Sequence, residues 1–264
     1  MTSATDRTSV SSELTTESLL ALSERRIAAI HIKGFHDRDA ADAVAERALT
    51  HEALGSYHKE LASSVSRVHM PHVDTAHDPE LIDAYHRQAL GAIDDVRSMF
   101  APHASPVDRL RLLLQEMWPA GANLLRLGGR TCFIGALRVF RPGVSQLLPH
   151  NDRLRQETDA PEARNLTEQL TANVYLRVPE TGGELHLWLR EPDEAETERI
   201  LAVEGLDPST IESPTLTIHP DAGDLIVFSS AMLHAVSPSS VGPRVGMAMF
   251  IGCANAKYPL VYWS

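Results

Sequence analysis

Residues 170–189 read LTANVYLRVPETGGELHLWL. Two β-prone runs, 170–178 and 183–189, flank a segment punctuated by Pro179 and the Gly182–Gly183 pair. Aliphatic and aromatic residues bounded by Pro and Gly are the pattern of a strand, a turn and a second strand. The same texture recurs outward from this stretch, everywhere after Gly121. CFIGALRVF (132–140) and VSQLLP (144–149) precede it; PTLTIHP (214–220), DLIVFSS (224–230) and VGMAMFIG (245–252) follow. Seven short strands at this spacing predict a sandwich or barrel. Two longer polar segments, Arg153–Glu168 and Glu191–Ser213, interrupt the strands, each with room for a helical turn. The acidic run EPDEAETE within the second reads as a solvated helix start.

The first half has a different rhythm. Leu19, Leu20 and Leu22 predict a helix leading into a short strand within IAAIHIKGF (27–35). Asp37 is placed to cap a helix over RDAADAVAERAL (38–49). Apolar residues at Leu81, Ile82, Tyr85, Ala89, Leu90, Ile93 and Val96 repeat at helical spacing, and PVDRLRLLLQEMW (106–118) repeats the pattern. The expected class is α+β: one domain over 1–264, with a disordered tail at 1–15, mainly helical support at 16–121 and a strand-rich core at 122–264.

Composition narrows the function. A net charge of −11 argues against nucleic acid or an anionic membrane surface as partner. No apolar run approaches the ~20 residues of a bilayer span, and the Ser/Thr-rich start lacks an apolar signal core, so a cytoplasmic protein is expected. The two cysteines, Cys132 and Cys253, lie in apolar runs and read as buried free thiols. Oligomeric state is open, a homodimer being one option.

The chemistry is concentrated in three places. LPHNDRL (148–154) contains His150-x-Asp152; His234 follows in GDLIVFSSAMLHAVSP; Arg244 lies ten residues further on in GPRVGMAMF. Residues two apart at a strand end project to the same side, so His150 and Asp152 can reach one metal. Two imidazoles and one carboxylate on one face of an octahedral ion are the ligand set of non-haem Fe(II) oxygenases. An arginine in phase on the following strand can bind a carboxylate through its two-pronged guanidinium. A second H-x-D, His72–Asp74, precedes a helix and has no comparable series behind it. His186 and His219 read as packing or solvent-facing residues, and Trp188 as core.

The ordered frame of LPHND, ANVYLRVPETGGELHLW, HPDAGDLIVFSSAMLHAVSP and GPR resembles the Fe(II)/2-oxoglutarate-dependent dioxygenases, particularly the prolyl-hydroxylase-like group, over residues 133–252. The resemblance implies a double-stranded β-helix, a cupin-like jelly roll, with the helices as an N-terminal layer. It implies Fe(II) as cofactor, with 2-oxoglutarate and O2 as co-substrates. His150, Asp152 and His234 would be the iron ligands. Arg244 would hold the distal carboxylate of 2-oxoglutarate, helped by Tyr175, with Asn173 facing the same way. Phe140 stands where relatives often carry a tyrosine, and Arg138 is in phase with it. Related halogenases have Gly or Ala in place of the carboxylate ligand; Asp152 therefore points to hydroxylation rather than chlorination.

The helical first half and the closing YPLVYWS also look like the small bacterial oxygenases and halogenases of free amino acids. In lysine-directed members an acidic residue follows the first histidine by three positions. Arg153 stands there in this chain, which favours a neutral or anionic side-chain end, a nitro-substituted lysine derivative undergoing cyclopropane closure included. Tyr262 and Trp263 are candidates for a pocket wall, or for docking the C-terminus. Arg67 is a candidate for a substrate carboxylate. The leading expectation is oxidation of an unactivated C–H bond of a free amino acid or similar small metabolite, as in natural product biosynthesis. A peptidyl or carrier-bound substrate and a non-catalytic, cupin-like metal- and ligand-binding protein are the alternatives.

Overall fold

The computed structural model describes residues 7–58, 65–143, 147–203 and 205–264. Two sheets face each other. The larger has ten strands, with a main path in the order Val10–Ser11, Ala29–Ile32, Leu225–Ser229, Glu168–Arg177, Arg244–Cys253, Ala136–Phe140, Ser66–Val68 and Leu54–Ser56. Leu260–Trp263 pairs beside the far end of Arg244–Cys253, and Ala122–Leu124 beside it. The smaller sheet runs Leu216–Ile218, Leu185–Trp188, Leu233–Val236, Leu147–His150. This is the jelly roll expected, with the helices of the first half on the large sheet and Ile200 of helix Glu194–Val203 packed with Trp188, Leu233 and Ala235 of the small one.

The Glu168–Arg177 strand sits at the centre of the large sheet and shows how the layers are specified. Leu170, Ala172, Val174 and Leu176 belong to the main core, together with Tyr85, Ile93 and Val96 of helix Pro79–Phe100 and Leu110 and Leu114 of helix Pro106–Met117. Tyr175, in the opposite phase, packs with Ile226 and Phe228 against Leu185 and Leu187 of the small sheet. Period-two alternation therefore assigns one face to the helices and the other to the barrel interior.

The helices begin where their caps dictate. The Asp37 side chain accepts from the Ala40 N–H at the start of helix Arg38–Leu49. Asp78 accepts from the Glu80 and Leu81 N–H groups, with Pro79 at the first helical position. The buried face of Arg38–Leu49 is Ala40, Ala41, Val44, Ala45 and Ala48. Such short side chains let that helix lie close against the sheet.

Two expectations need correction. The 1–15 segment is not a tail throughout: Val10–Ser11 pairs in parallel with Ala29–Ile30, and Thr15 closes a capping box with Ser18, although residues 1–6 lie outside the described set. Besides its four helices and the Ala29–Ile32 strand, the 16–121 region supplies Ser66–Val68, which hydrogen-bonds to Ala136–Phe140 and extends the large sheet through Leu54–Ser56. Cys132 precedes the strand in its run instead of lying in it, whereas Cys253 ends a strand; both are buried free thiols. The 144–149 run contributes to Leu147–His150, its first three residues being outside the described set. Among the described residues no helix is long and apolar enough to cross a membrane.

Candidate active site

Two strands of the small sheet bring the histidines together. His150 and His234 are direct partners in the antiparallel register of Leu147–His150 and Leu233–Val236, their ring centroids 4.3 Å apart. Asp152 completes the group: its carboxylate oxygens lie 3.8 Å from His150 Nε2 and 3.4 Å from His234 Nε2. One ligand atom from each residue falls within 4.8 Å of the others, the spacing a single ion requires. Each imidazole is aimed by its own strand. His150 Nδ1 lies 2.7 Å from the Leu148 carbonyl and His234 Nδ1 3.0 Å from the Met232 carbonyl. A carbonyl can only accept, so each Nδ1 donates and each Nε2 keeps its lone pair for a metal. The Asp152 N–H donates to the Ser230 carbonyl at 2.8 Å, which fixes the carboxylate against the same hairpin.

The electrostatics suit a cation. Burial, followed by the neighbouring His234, pushes the His150 imidazole down to about 4, so it is neutral at pH 7, the form that can ligate a metal. Burial alone would raise the Asp152 carboxyl, but His150, His234 and Arg138 hold it below the usual carboxylate range.

Deeper in the barrel, Arg244 is only 4% exposed and lies between two rings, its guanidinium carbon 4.7 Å from the Phe140 centroid and 5.0 Å from that of Tyr175. Among the described residues its Nε and Nη1 have no hydrogen-bond partner, nor has the Tyr175 hydroxyl. Burial drives the Arg244 pKa down, with Tyr175 opposing. A buried guanidinium with two unmet donors is costly unless an anion meets them. Phe140, in place of a tyrosine, supplies a ring face to the cation rather than a hydroxyl. The donor set therefore fits the carboxylate of a 2-oxo acid, as the histidine–aspartate group fits iron. Small residues leave the space: Gly246 pairs with both Arg138 and Tyr175, and Ala248 with both Ala136 and Asn173. A Cβ on Gly246 would meet nothing closer than 3.5 Å.

Other motif residues hold the frame. Asp224 is 1% exposed; it accepts from the N–H groups of Gly34 and Asp221 and faces His31 Nε2 at 2.7 Å. Gly182, at φ +80°, lies where a Cβ would come 2.1 Å from the Pro238 carbonyl oxygen, so only glycine lets the chain pass.

His150 and Asp152 open onto a cavity of about 260 Å³. Arg138, Arg153, Tyr57, Glu157, Ile200 and Leu201 are among its walls. Sequence reasoning misses Tyr57 and Glu157; they sit far from the motif in chain or pattern, and only the fold brings them in. The Asp74–His77 segment also lines the cavity, and Ala76 and His77 adopt left-handed φ values of 46° and 62°, strained for residues with a side chain.

Several sequence candidates have other duties. Arg67 donates through Nε and Nη2 to Asp74, so its charge is already matched. Arg153 lines the cavity but pairs with Glu191, which Arg25 also holds at 2.5 Å, so it presents no free cation. Tyr262 and Trp263 are buried in the main core: Trp263 packs on Phe250 at 5.4 Å and the Arg111 guanidinium sits 5.2 Å from the Tyr262 ring. They dock the C-terminus and do not wall this cavity. The second H-x-D is divided between two partners, Asp74 with Arg67 and His72 with Glu157 at 2.7 Å. Asn173 is half-buried on the interior-facing side of its strand.

Residues 136–252 match the family model described as the 2OG-Fe(II) oxygenase superfamily. That segment runs from Ala136–Phe140 through most of Arg244–Cys253 and includes His150, Asp152, His234 and Arg244. The chain is 27% identical over 251 residues to the L-γ-glutamyl-L-propargylglycine hydroxylase of Streptantibioticus cattleyicolor, an alignment covering 89% of this chain and 87% of that protein. It is 33% identical over 144 residues to the L-isoleucine 3(1)-dioxygenase of Pantoea ananatis, covering 52% and 48%. A similar solved structure is an N-substituted L-amino acid dioxygenase from Burkholderia ambifaria, with a TM-score of 0.60 and 15% identity over 94% of this chain and 91% of that one; it bears on the fold alone.

Proposed function

We propose that His150, Asp152 and His234 hold the Fe(II), that Arg244 and Tyr175 anchor the distal carboxylate of 2-oxoglutarate, and that the enzyme oxidises an unactivated C–H bond of a free amino acid or similar small metabolite. The observation that carries the proposal is the convergence of the three ligand atoms at the edge of a cavity, with the unmatched Arg244 guanidinium deeper in the same barrel. With iron bound, the site supplies oxidative decarboxylation of 2-oxoglutarate to succinate coupled to removal of a substrate hydrogen atom. The chain's own contribution is positioning. The Leu148 and Met232 carbonyls hold the imidazoles in their ligating tautomer. The ring faces of Phe140 and Tyr175 exclude water from around Arg244, which strengthens its pairing with a carboxylate. Asp152 occupies the third ligand position, which supports hydroxylation or ring closure over halogenation.

The two curated relatives support an amino-acid substrate, since both are named for amino acids or their conjugates. The γ-glutamyl conjugate in the first name gives a second reading, an amino acid acylated on its nitrogen. The test is succinate formed per 2-oxoglutarate consumed, under Fe(II), across a panel of free amino acids and their γ-glutamyl conjugates. Stimulation by one of them supports the reading. Absence of iron-dependent succinate with any would overturn it.

A further inference from the structure

Charged groups around the cavity are mostly already spoken for. Both Asp74 carboxylate oxygens are occupied, Oδ1 by the His58 N–H and Oδ2 by Arg67. Arg153 faces Glu191, and Asp152 belongs to the metal group. Two remain. Arg138 reaches the cavity beside Tyr57 and Asp152, and its Nε is buried with no partner among the described residues. Glu157 lines the cavity with its side chain 12% exposed, and among the described residues only His72 bonds it, through Oε2.

We infer that Arg138 and Glu157 form a two-pole subsite for the head of a free α-amino acid, the guanidinium taking the carboxylate and the Glu157 carboxylate taking the ammonium. The inference rests on the amino-acid reading above and sharpens it to substrates with both charges intact. A guanidinium with an unmet N–H matches a carboxylate's lone pairs, and a carboxylate accepts what an ammonium must donate. Both protein charges already stand in one cavity wall, so a zwitterion meets the open Arg138 N–H and the Glu157 oxygen that His72 leaves, whereas a neutral head brings a charge to neither. The state of each group agrees. A guanidinium stays protonated in proteins, so Arg138 brings a fixed positive charge. Burial raises the Glu157 carboxyl despite His72, so an arriving cation is the partner that favours its charged form. The pair also separates two chemistries. A γ-glutamyl or other N-acyl amino acid has an amide at this nitrogen and offers Glu157 no charge.

The test is anaerobic calorimetry on the Fe(II)·2-oxoglutarate protein, using an amino acid that stimulates succinate formation, its methyl ester and its N-acetyl derivative. The ester and N-acetyl forms should each bind roughly tenfold to a hundredfold more weakly. Arg138→Gln should weaken the parent amino acid similarly and erase most of the penalty for esterification. Glu157→Gln should do the same for N-acetylation, and Glu157→Asp should restore part of the affinity. This matching of protein and ligand changes is a pattern that general loss of folding does not produce. Unchanged penalties in both variants overturn the inference while leaving the proposed function standing. So does an N-acetyl or γ-glutamyl form that binds more tightly than the free amino acid, or an Arg138→Gln variant that loses 2-oxoglutarate instead. If no amino acid binds or stimulates turnover, the proposed function falls and this inference with it.

Discussion

The two faces of the Glu168–Arg177 strand obey opposite rules. Towards the helices, Leu170, Ala172, Val174 and Leu176 pack in the main core. Towards the barrel interior the same strand shows Thr171 and Tyr175 with buried hydroxyls that have no partner among the described residues, and its neighbour Arg244 with two unmet donors. One face is finished by the chain itself. The other is left for something the chain does not contain. Unsatisfied buried polar atoms are rare in proteins, so their concentration on one side of one sheet marks where ligands belong.

That contrast predicts different consequences for substitutions a short distance apart. Asp152→Ala should have the largest effect: Fe(II) affinity, measured by anaerobic titration, should fall by more than ~100-fold, since loss of a mere supporting group costs roughly 10–100-fold. Full iron binding in that variant would remove the aspartate from the metal site. Arg244→Met should come next, raising the Kd for 2-oxoglutarate by at least ~30-fold while leaving thermal stability of the metal-free protein equal or higher, because an unmatched buried charge is replaced by an apolar chain. A marked loss of stability would show that Arg244 completes the fold rather than the ligand site. Leu176→Ala, on the finished face, should do the reverse and cost about 2–5 kcal/mol in unfolding free energy, with 2-oxoglutarate affinity nearly unchanged under conditions where the variant is folded.

Acidification gives a smaller effect. Burial holds the His36, His69 and His86 imidazoles below their ordinary value. Their neutral forms are favoured in the folded state, so the stability they contribute is present above the free imidazole range near about pH 6.5 and is lost as pH falls through their lowered values. Urea midpoints should therefore drop between about pH 7 and about pH 5; a flat profile would contradict the shifts. The smallest effect concerns the thiols. Burial pushes Cys132 up to about 12 and Cys253 up to about 11. Neither should be alkylated at about pH 8 in the native protein, whereas both should react once it is unfolded.

Much of this is readable in the chain. Asp37 announces its helix because a cap is a local contact, and His150 and Arg244 border β-prone runs at 144–149 and 245–252. What is not readable is what distant segments do to one another. Leu54–Ser56 and Ser66–Val68 are short and mixed in polarity; pairing with Ala136–Phe140 makes them strands. Leu233–Val236, which carries His234, is four residues long and follows the preceding strand after only three residues, so no separate pattern isolates it. The duties of Arg67 and Arg153 are decided by Asp74 and Glu191, acids that no spacing rule connects to them. Tyr262 and Trp263 have the composition of a pocket wall, yet their strand lies along Arg244–Cys253 and their rings fill the core.

The sharing of Glu191 between Arg153 and Arg25 has a practical consequence for anyone wishing to redirect this enzyme. Arg25 also grips the buried Glu168 at 2.9 Å, so four side chains from four stretches of the chain balance as a set. Exchanging residue 153 alone for the acid of a lysine-directed relative would place two carboxylates face to face beside the cavity and would report their repulsion, not the preference of the donor enzyme. Grafting a new selectivity at that corner means moving positions 25, 153 and 191 together.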